Sequence, residues 1–254
     1  MAPTFRKTVL TALLSALAPA ALAQQAPPPE APAPEATPAE QAAPQARELT
    51  PAEIAAFNKA VSDFTAGQTA QQSGDNATAV AKYDAAIPAI RTAVEAEPDK
   101  IDNVNFLANA LYADAAAYGA LGQMDKVVAL YDESLPHWRK LVAAKPTDTV
   151  SRNILAGSLV QIGNQKLGAG DRKSADPYYA EALTLARQAV AEQPADAVAK
   201  NLLLSALIGA GQTSTQEGML EEAIGMGKAM IADGSIDASN KPSIEAMTSA
   251  APAG

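Results

Sequence analysis

The amino-acid sequence predicts an all-α protein, an α-solenoid of four helix-turn-helix units with long helices. Three observations support this class. Alanine is the most frequent residue type, and aromatic residues make up only 4% of the chain. Long alternating runs of β-branched residues are absent, which argues against a sheet protein. Glycines and prolines recur every 48 residues, and apolar residues follow helical spacing between them.

The repeat is visible when the chain is shifted along itself by 48 residues. The aligned columns include Pro98, Pro146, Pro194 and Pro242, then Gly74, Gly122, Gly170 and Gly218, then Tyr83, Tyr131 and Tyr179, and finally Arg91, Arg139 and Arg187. Several independent columns at one period indicate a true internal repeat. The predicted units are 51–98, 99–146, 147–194 and 195–242.

Each unit is predicted to hold two helices that are separated by a glycine turn. The first helix should begin at Thr50-Pro51-Ala52-Glu53, a capping box with proline at the first helical position. Gly122 should end the first helix of the second unit in the left-handed conformation. Pro146 should open the loop after the second helix. Each helix would have about 20 residues and a length of roughly 30 Å, and residues 243–250 would form a short closing helix.

One unit carries a recognisable family pattern. It consists of Leu159, Gly163, Gly170, Ala175, Tyr179, Ala182 and Pro194. This pattern resembles the tetratricopeptide repeat (TPR) family, and the resemblance covers nearly all of 51–242. The repeat here is longer than the family's 34 residues, so each helix gains about seven residues, close to two turns, and its buried face stays nearly in phase. Ala115 replaces the first glycine in the second unit, and Gly227 replaces the aromatic residue in the fourth.

The N-terminal region is predicted to be separate from the repeats. Residues 1–23 place Arg6 and Lys7 before an apolar stretch that ends in Ala21-Leu22-Ala23, which is typical of a cleaved signal peptide. The apolar run of ~15 residues is shorter than a membrane-spanning helix requires. Residues 24–47, rich in proline, alanine and glutamate, are predicted to be a disordered linker. We therefore expect 48–254 to form the folded array of a periplasmic or secreted protein of a Gram-negative bacterium, with no membrane insertion after cleavage.

Charge and composition argue against several function classes. Loss of Arg6 and Lys7 would move the formal charge from −9 to −11, and such a surface repels nucleic acid and anionic lipid. The chain has no cysteine, which excludes a disulfide or a thiol nucleophile. His137 is the only histidine, and the acidic stretch around Asp99 lacks the spacing of a calcium loop. We expect no catalytic residue, cofactor or metal site, and no enzymatic activity.

The first helix of each unit holds the candidate binding residues, because the resemblance implies that these helices line a concave groove. The implied partner-binding positions are Asn105, Asn109, Tyr112, Asn153, Val160, Asn164, Asn201, Ser205 and Ile208. None is charged, so the family's clamp for carboxylates is not implied. Asn105, Asn153 and Asn201 form a column whose amides could bind a peptide backbone. The same amides could instead tie each helix to a neighbouring loop or helix, and both interpretations stay open.

The sequence therefore favours a non-catalytic scaffold that binds a protein or peptide in its groove. Two alternatives remain. A small-ligand carrier would need a closed apolar pocket. An enzyme acting on envelope polysaccharide or peptide would need paired carboxylates that face each other across a cleft.

Overall fold

The computed structural model describes residues 46–214 and 218–249, all within one compact unit, Ala43–Gly254. These residues contain nine α-helices and no strand, which confirms the all-α class. The helices are α1 (Pro51–Gln72), α2 (Asn76–Ala96), α3 (Ile101–Ala120), α4 (Met124–Ala144), α5 (Thr149–Gly168), α6 (Arg172–Glu192), α7 (Ala197–Thr213), α8 (Met219–Asp233) and α9 (Lys241–Ser249). The predicted signal peptide, and the predicted linker up to residue 45, lie outside the described residues.

Local signals in the sequence explain where the helices start and turn. Thr50 accepts a hydrogen bond from the Glu53 amide at 3.3 Å, and the Glu53 carboxylate accepts one from the Thr50 amide at 2.8 Å, so the predicted capping box is confirmed. Gly122 has a φ of +73° and reverses the chain between α3 and α4, as predicted. The glycines of the same column at the other three turns also have positive φ. Helices α1 to α6 have 20 to 22 residues, close to the expected length.

Neighbouring helices along the chain are neighbours in space. Each helix from α1 to α8 packs against the next one, and α1 also contacts α3, as α5 does α7. The buried side chains form two main clusters. One lies among α1, α2 and α3 around Tyr83, Ile90 and Leu111, and the larger one reaches from α3 to α9 around Leu159 and Tyr179. Burial of these apolar faces against adjacent helices stabilises the fold, because a lone pair of helices would leave them in water.

Ion pairs connect the even-numbered helices and account for the arginine column. Two members bind residues 42 positions further along the chain: Arg91 of α2 binds Glu133 of α4 at 2.8 Å, and Arg139 of α4 binds Glu181 of α6 at 2.7 Å. Arg187 of α6 continues the series to Glu222 of α8 at 2.6 Å. All six side chains are substantially exposed, so each pair contributes at most about 1 kcal/mol. The ladder connects helices whose backbones do not contact each other within the described ranges.

The fourth unit departs from the expected pattern. Pro242 was predicted to open the loop after a second helix of about 20 residues. Instead, α8 has 15 residues and ends at Gly234, whose φ is +77°, and Pro242 is the second residue of α9. Proline suits both positions, because the first turn of a helix does not need its amide hydrogen. The closing helix itself agrees with the prediction for 243–250 within a few residues.

Candidate partner-binding face

Exposed apolar side chains concentrate on the odd-numbered helices. Seven large apolar residues are exposed among the described residues, and five of them lie on α1, α3, α5 and α7: Ile54, Val61, Tyr112, Val150 and Val198. The other two flank the turn between α3 and α4. The predicted groove positions lie on the same helices, so we define the first-helix face as the exposed and half-buried side chains of α1, α3, α5 and α7. This face is the candidate binding surface.

The asparagine column does not share one environment. Asn105 is exposed, and its carbonyl oxygens accept hydrogen bonds from Asn109 Nδ2 at 2.8 and 3.1 Å. Asn153 is half-buried, and its side chain makes no hydrogen bond within 46–214 and 218–249. Asn201 is only 8% exposed; its Nδ2 donates to Ser235 O at 2.9 Å, and its Oδ1 accepts from the Asp237 amide at 2.9 Å. Asn201 therefore ties α7 to the segment between α8 and α9, and only Asn105 and Asn153 have capacity for a partner.

The other predicted positions also divide into accessible and occupied side chains. Tyr112 and Asn164 are exposed, and Ile208 is half-buried. Val160 is only 5% exposed and belongs to the larger core cluster. Ser205 donates a hydrogen bond to Asn240 Oδ1 at 2.9 Å. Val160 and Asn201 thus offer a partner little surface, whereas half-buried Ser205 lines a surface pocket of about 250 Å³ together with Val198 and Leu202.

A group of aromatic rings forms the α1 end of the first-helix face. Phe64 lies 5.1 Å from Phe106 and 5.5 Å from Tyr83, and Phe57 lies 5.7 Å from Phe106, all between ring centroids. The three phenylalanines are half-buried. Edge-to-face contacts of this kind stabilise the packing of α1 on α3 and leave ring surface at the exterior.

The tyrosines of the repeat column differ in burial, and the difference follows the residue at the glycine position of the preceding helix. Tyr83 and Tyr179 are fully buried, each against a glycine of the preceding helix. A Cβ atom at Gly67 would lie 2.6 Å from Tyr83 Cε1, and a Cβ atom at Gly163 would lie 2.9 Å from Tyr179 Cε1. In the second unit this position is Ala115, whose methyl group occupies the space that the ring would need. Tyr131 is accordingly only half-buried.

Tyr131 also lacks the hydrogen bond that the other two tyrosines make. The Tyr83 hydroxyl donates to Gln71 Oε1 at 2.9 Å, and the Tyr179 hydroxyl donates to Asn164 Oδ1 at 2.7 Å. The matching positions beside Tyr131 are Gly119 and Ala116, which have no polar side-chain atom. The Tyr131 hydroxyl consequently has no partner in the part of the chain that the structure describes.

The displaced Tyr131 joins a group that we call the aromatic cluster, consisting of Tyr112, Tyr131 and Trp138. The ring centroid of Tyr112 lies 5.8 Å from that of Tyr131 and 6.4 Å from that of Trp138. Trp138 is 1% exposed and its indole nitrogen has no hydrogen-bond acceptor in the described chain. Burial, together with neighbouring Tyr112, raises the pKa of Tyr131 to about 12. The hydroxyl thus keeps its proton, and can donate it in a hydrogen bond, at neutral pH.

The odd-numbered helices are not all equally close to one another. Helices α1 and α3 approach within 8 Å between Cα atoms, and so do α5 and α7, but α3 and α5 do not among the described residues. Bulky Tyr112, Tyr131 and Trp138 lie on the α3 and α4 side of this separation. The prediction of groove residues named Tyr112 and missed the other two. Two features of the sequence could have pointed to Tyr131. Ala115 stands where the other units have glycine, and Ala116 and Gly119 stand where the other units have the side chain that accepts the tyrosine hydrogen bond.

Two acidic residues of the odd-numbered helices, Asp63 and Asp114, are buried. Asp63 of α1 is 7% exposed and binds Lys59 and also Lys82, the latter at 3.1 Å. The salt bridges lower the pKa of Asp63, with Lys59 as the main cause. Asp114 of α3 is fully buried near Asp84 and is not open to a substrate.

The described residues contain no group of three or more histidine, cysteine, aspartate or glutamate side chains that could hold a metal ion. His137 is half-buried, and burial lowers the pKa of its imidazole.

A surface pocket of about 280 Å³ lies between α4 and α6, where Tyr178 and Pro177 flank the Arg139–Glu181 ion pair. No described helix is both long enough and apolar enough to cross a membrane.

Comparison with known proteins gives little further information. No family model matches the chain, and no curated protein matches it. Among solved structures, the chain is similar to the crystal structure of BtubC (BKLC) from P. vanneervenii, with 15% sequence identity over 81% of this chain and 95% of that chain. The TM-score is 0.31, which is too low to support an argument about fold or function.

Proposed function

We propose that the protein is an exported, non-catalytic scaffold that binds a segment of a partner protein on its first-helix face. In this proposal the helices form an α-solenoid of four TPR-like units, and the short α9 covers its C-terminal end. The consecutive packing of helices and the repeated glycine turns support the solenoid. The N-terminal sequence supports export to the periplasm or beyond.

One observation carries the binding proposal. The exposed large apolar side chains concentrate on the odd-numbered helices, at positions such as Ile54, Val61 and Val150, and none of the predicted groove positions is charged. Water contact with these side chains is unfavourable, and a partner that covers them gains roughly 25 cal/mol per Å² of buried apolar surface. Asn105 and Asn153 can supply hydrogen bonds to the backbone of the bound segment.

Site-specific photocrosslinking in the cells that express the protein tests this proposal. The crosslinker replaces Tyr112 on α3 and, in a matched control, Ala180 on the opposite helix α6. Ala180 is exposed and its side chain makes no hydrogen bond, so the control differs from the test position mainly in location. A discrete adduct from position 112 alone is the expected result. Adducts from position 180 alone, or from neither position, would mean that the first-helix face is not the binding surface.

A further inference from the structure

We propose that a pocket at the start of α7 receives a basic side chain, lysine or arginine, of the partner segment. This inference rests on the proposed function and adds the chemistry of the partner. The pocket has a volume of about 250 Å³, and we call it the α7 pocket. It is lined by Ala197, Val198, Asn201, Leu202, Ser205 and Asp237. Its helical residues belong to the first-helix face, apart from buried Asn201.

The short second helix of the fourth unit accounts for this pocket. Helix α8 has 15 residues, whereas α6 has 21, and the segment that follows α8 folds against α7. Asn240 Nδ2 donates to Asn201 O at 3.0 Å, and the Asp237 amide donates to Asn201 Oδ1 at 2.9 Å. These bonds hold Asp237 beside the apolar side chains of α7. In the third unit the matching position is Ala189, inside α6, so that unit has no such carboxylate.

The walls of the α7 pocket favour an aliphatic chain. Val198 is 60% exposed, and Leu202 is half-buried. Helix α5 borders this surface, since a Cβ atom at Gly157 would lie 3.6 Å from Leu202 Cδ2. Val150 holds in α5 the place that Val198 holds in α7, and it is also exposed. A segment that covers both valines therefore needs apolar residues beside its basic one.

The charges around the pocket select a cation. Among the described residues that line it, only Asp237 is charged. This residue is exposed; its Oδ1 accepts a hydrogen bond from the Asn240 amide at 2.8 Å, and it forms no ion pair with any described residue. Lys200, the basic residue of α7, follows Val198 by two positions, so it lies on another side of the helix, where it acts on Asp233. The formal charge of the chain, −9, also attracts a basic segment.

An anionic group is disfavoured although the pocket lies at a helix N-terminus. Such a terminus attracts negative charge, but Asp196 already caps α7 and accepts a hydrogen bond from the Val198 amide at 2.8 Å. A carboxylate or phosphate docked here would lie near two like charges, Asp196 and Asp237. A basic side chain instead places its aliphatic stem on Val198 and Leu202 and its charged head beside Asp237, still in contact with water.

The size of the pocket favours one side chain over a free ligand. Pockets for drug-sized ligands hold roughly 300–1,000 Å³ and enclose most of the ligand. The α7 pocket is smaller, and its edge at Val198 is open to water. The Ser205 hydroxyl donates to Asn240 Oδ1 at 2.9 Å and keeps lone pairs that can accept from an ammonium or guanidinium group.

Nuclear magnetic resonance titration of the full-length protein tests the pocket. The probe is the blocked peptide Ala-Ile-Lys-Ile-Ala. The matched peptide has norleucine in place of lysine, which keeps an aliphatic chain and removes the charge. We expect the lysine peptide to cause saturable shifts in the amide signals of Val198, Ser205 and Asp237. The norleucine peptide should bind about threefold to fivefold more weakly, the scale of a partly exposed charge pair.

Asp237→Asn tests the role of the charge. Asparagine can still accept from the Asn240 amide, so the segment after α8 keeps this bond. The variant should bind the lysine peptide about threefold to fivefold more weakly than wild type, and the norleucine peptide as well as wild type does. Glu221→Gln removes one negative charge from an exposed position of α8, and it should bind both peptides as wild type does. This control separates a local effect from one of net charge.

Val198→Ser tests the apolar wall. It removes exposed apolar surface from the pocket and should weaken binding of both peptides at least about twofold. Leu121→Ser is the matched control, because Leu121 is exposed in the turn between α3 and α4, away from the pocket. Far-ultraviolet circular dichroism checks that every variant keeps its helices.

Several outcomes overturn the proposal. Absence of saturable binding, equal binding of the two peptides by wild type, or equal weakening of both by Asp237→Asn refutes the basic side chain. Free pentane-1,5-diamine that binds as tightly as the lysine peptide would show that the ligand is a small amine and not a segment.

Failure of this inference is distinguishable from failure of the proposed function. If position 112 gives a partner adduct in cells but the lysine peptide does not bind, the first-helix face remains a binding surface and only the basic side chain is wrong. If the peptide binds at the α7 pocket but position 112 gives no adduct, the proposed function is wrong and the pocket binds basic residues independently of it.

Discussion

Asp114 carries a carboxyl group, which favours water or hydrogen-bond donors, yet it lies in the protein interior. It is fully buried, and neither of its carboxylate oxygens has a hydrogen-bond donor among the described residues. Asp84 of α2 lies beside it and accepts a hydrogen bond from the Tyr118 hydroxyl at 2.8 Å. Burial, and then the charge of Asp84, raise the pKa of Asp114 from its ordinary 3.8 to about 7, and Lys126 opposes this only weakly. A protonated Asp114 can donate to Asp84 and so satisfies both groups.

This raised pKa predicts a pH-dependent stability. The folded protein binds a proton at Asp114 that the unfolded chain loses near pH 4, so the contribution is fully present below that pH and is lost as pH rises through about 7. Asp114→Asn removes the titration and should gain up to about 2–4 kcal/mol relative to wild type between pH 5 and pH 8. Urea unfolding across this range measures the difference.

Asp102→Asn, an exposed position in the first turn of α3, serves as the control and should follow the wild-type profile. A difference between Asp114→Asn and wild type that does not change with pH would show that Asp114 stays ionised in the folded protein. This site could not be predicted from the sequence, because Asp114 belongs to no repeat column and its burial depends on the packing of α2 against α3.

At the scale of the elements, glycine turns between paired helices are the feature that the sequence predicted best. Gly168 and Gly170 make a natural comparison at the end of α5. A Cβ atom added at either one meets nothing within 4 Å, but only Gly170 has a positive φ, of +82°. The two positions therefore separate the effect of backbone conformation from that of packing.

We expect Gly170→Ala to destabilise the protein by about 1–2 kcal/mol, since a residue with a Cβ atom is strained in the left-handed region. Gly168→Ala should be neutral or stabilising by up to about 1 kcal/mol, because alanine is the better helix former. Thermal unfolding of both variants under one buffer condition gives the comparison. Equal effects would mean that the turn tolerates another backbone conformation.

The elements of the fourth unit were predicted less well, for a physical reason. The proline column suggested that the loop would start at Pro242, but Gly234 ends α8 earlier in the left-handed conformation. Proline is equally acceptable at the start of a helix and in a loop, because neither position requires a hydrogen bond from the backbone amide. The sequence alone therefore does not distinguish the two positions. The contacts of Asn201 with the segment after α8 decide which of the two applies here.

At the scale of the whole molecule, the two core clusters differ in their dependence on the C-terminal helices. The buried residues of the cluster around Tyr83 come from α1, α2 and α3, while the cluster around Tyr179 extends to Ile244 of α9, which is fully buried. A solenoid with nearest-neighbour contacts should tolerate the loss of its terminal units better than a globular core.

Deletion of residues 195–254 tests this expectation. The shortened protein should keep most of its mean helical signal per residue, because α1 to α6 retain their own neighbours, but it should unfold at lower temperature and be less soluble. The exposed α6 face, including Tyr179, loses its cover from α7. Removal of 250–254 alone is the control. Complete loss of helical signal on deleting 195–254 would contradict an array of nearest-neighbour units.

The sequence by itself determined the helical class, the length of most helices, the glycine turns and the capping box at Thr50. These features depend on residues within a few positions of one another, so their physics is local and readable along the chain. Only the tertiary structure decided that Asn201 is used internally, that Asp114 is buried without a donor, and that Tyr131 is displaced beside Tyr112. Each of these depends on which atoms of a neighbouring helix or segment lie within a few ångströms. Such distances between residues far apart in the sequence cannot be derived from the spacing of residues along the chain.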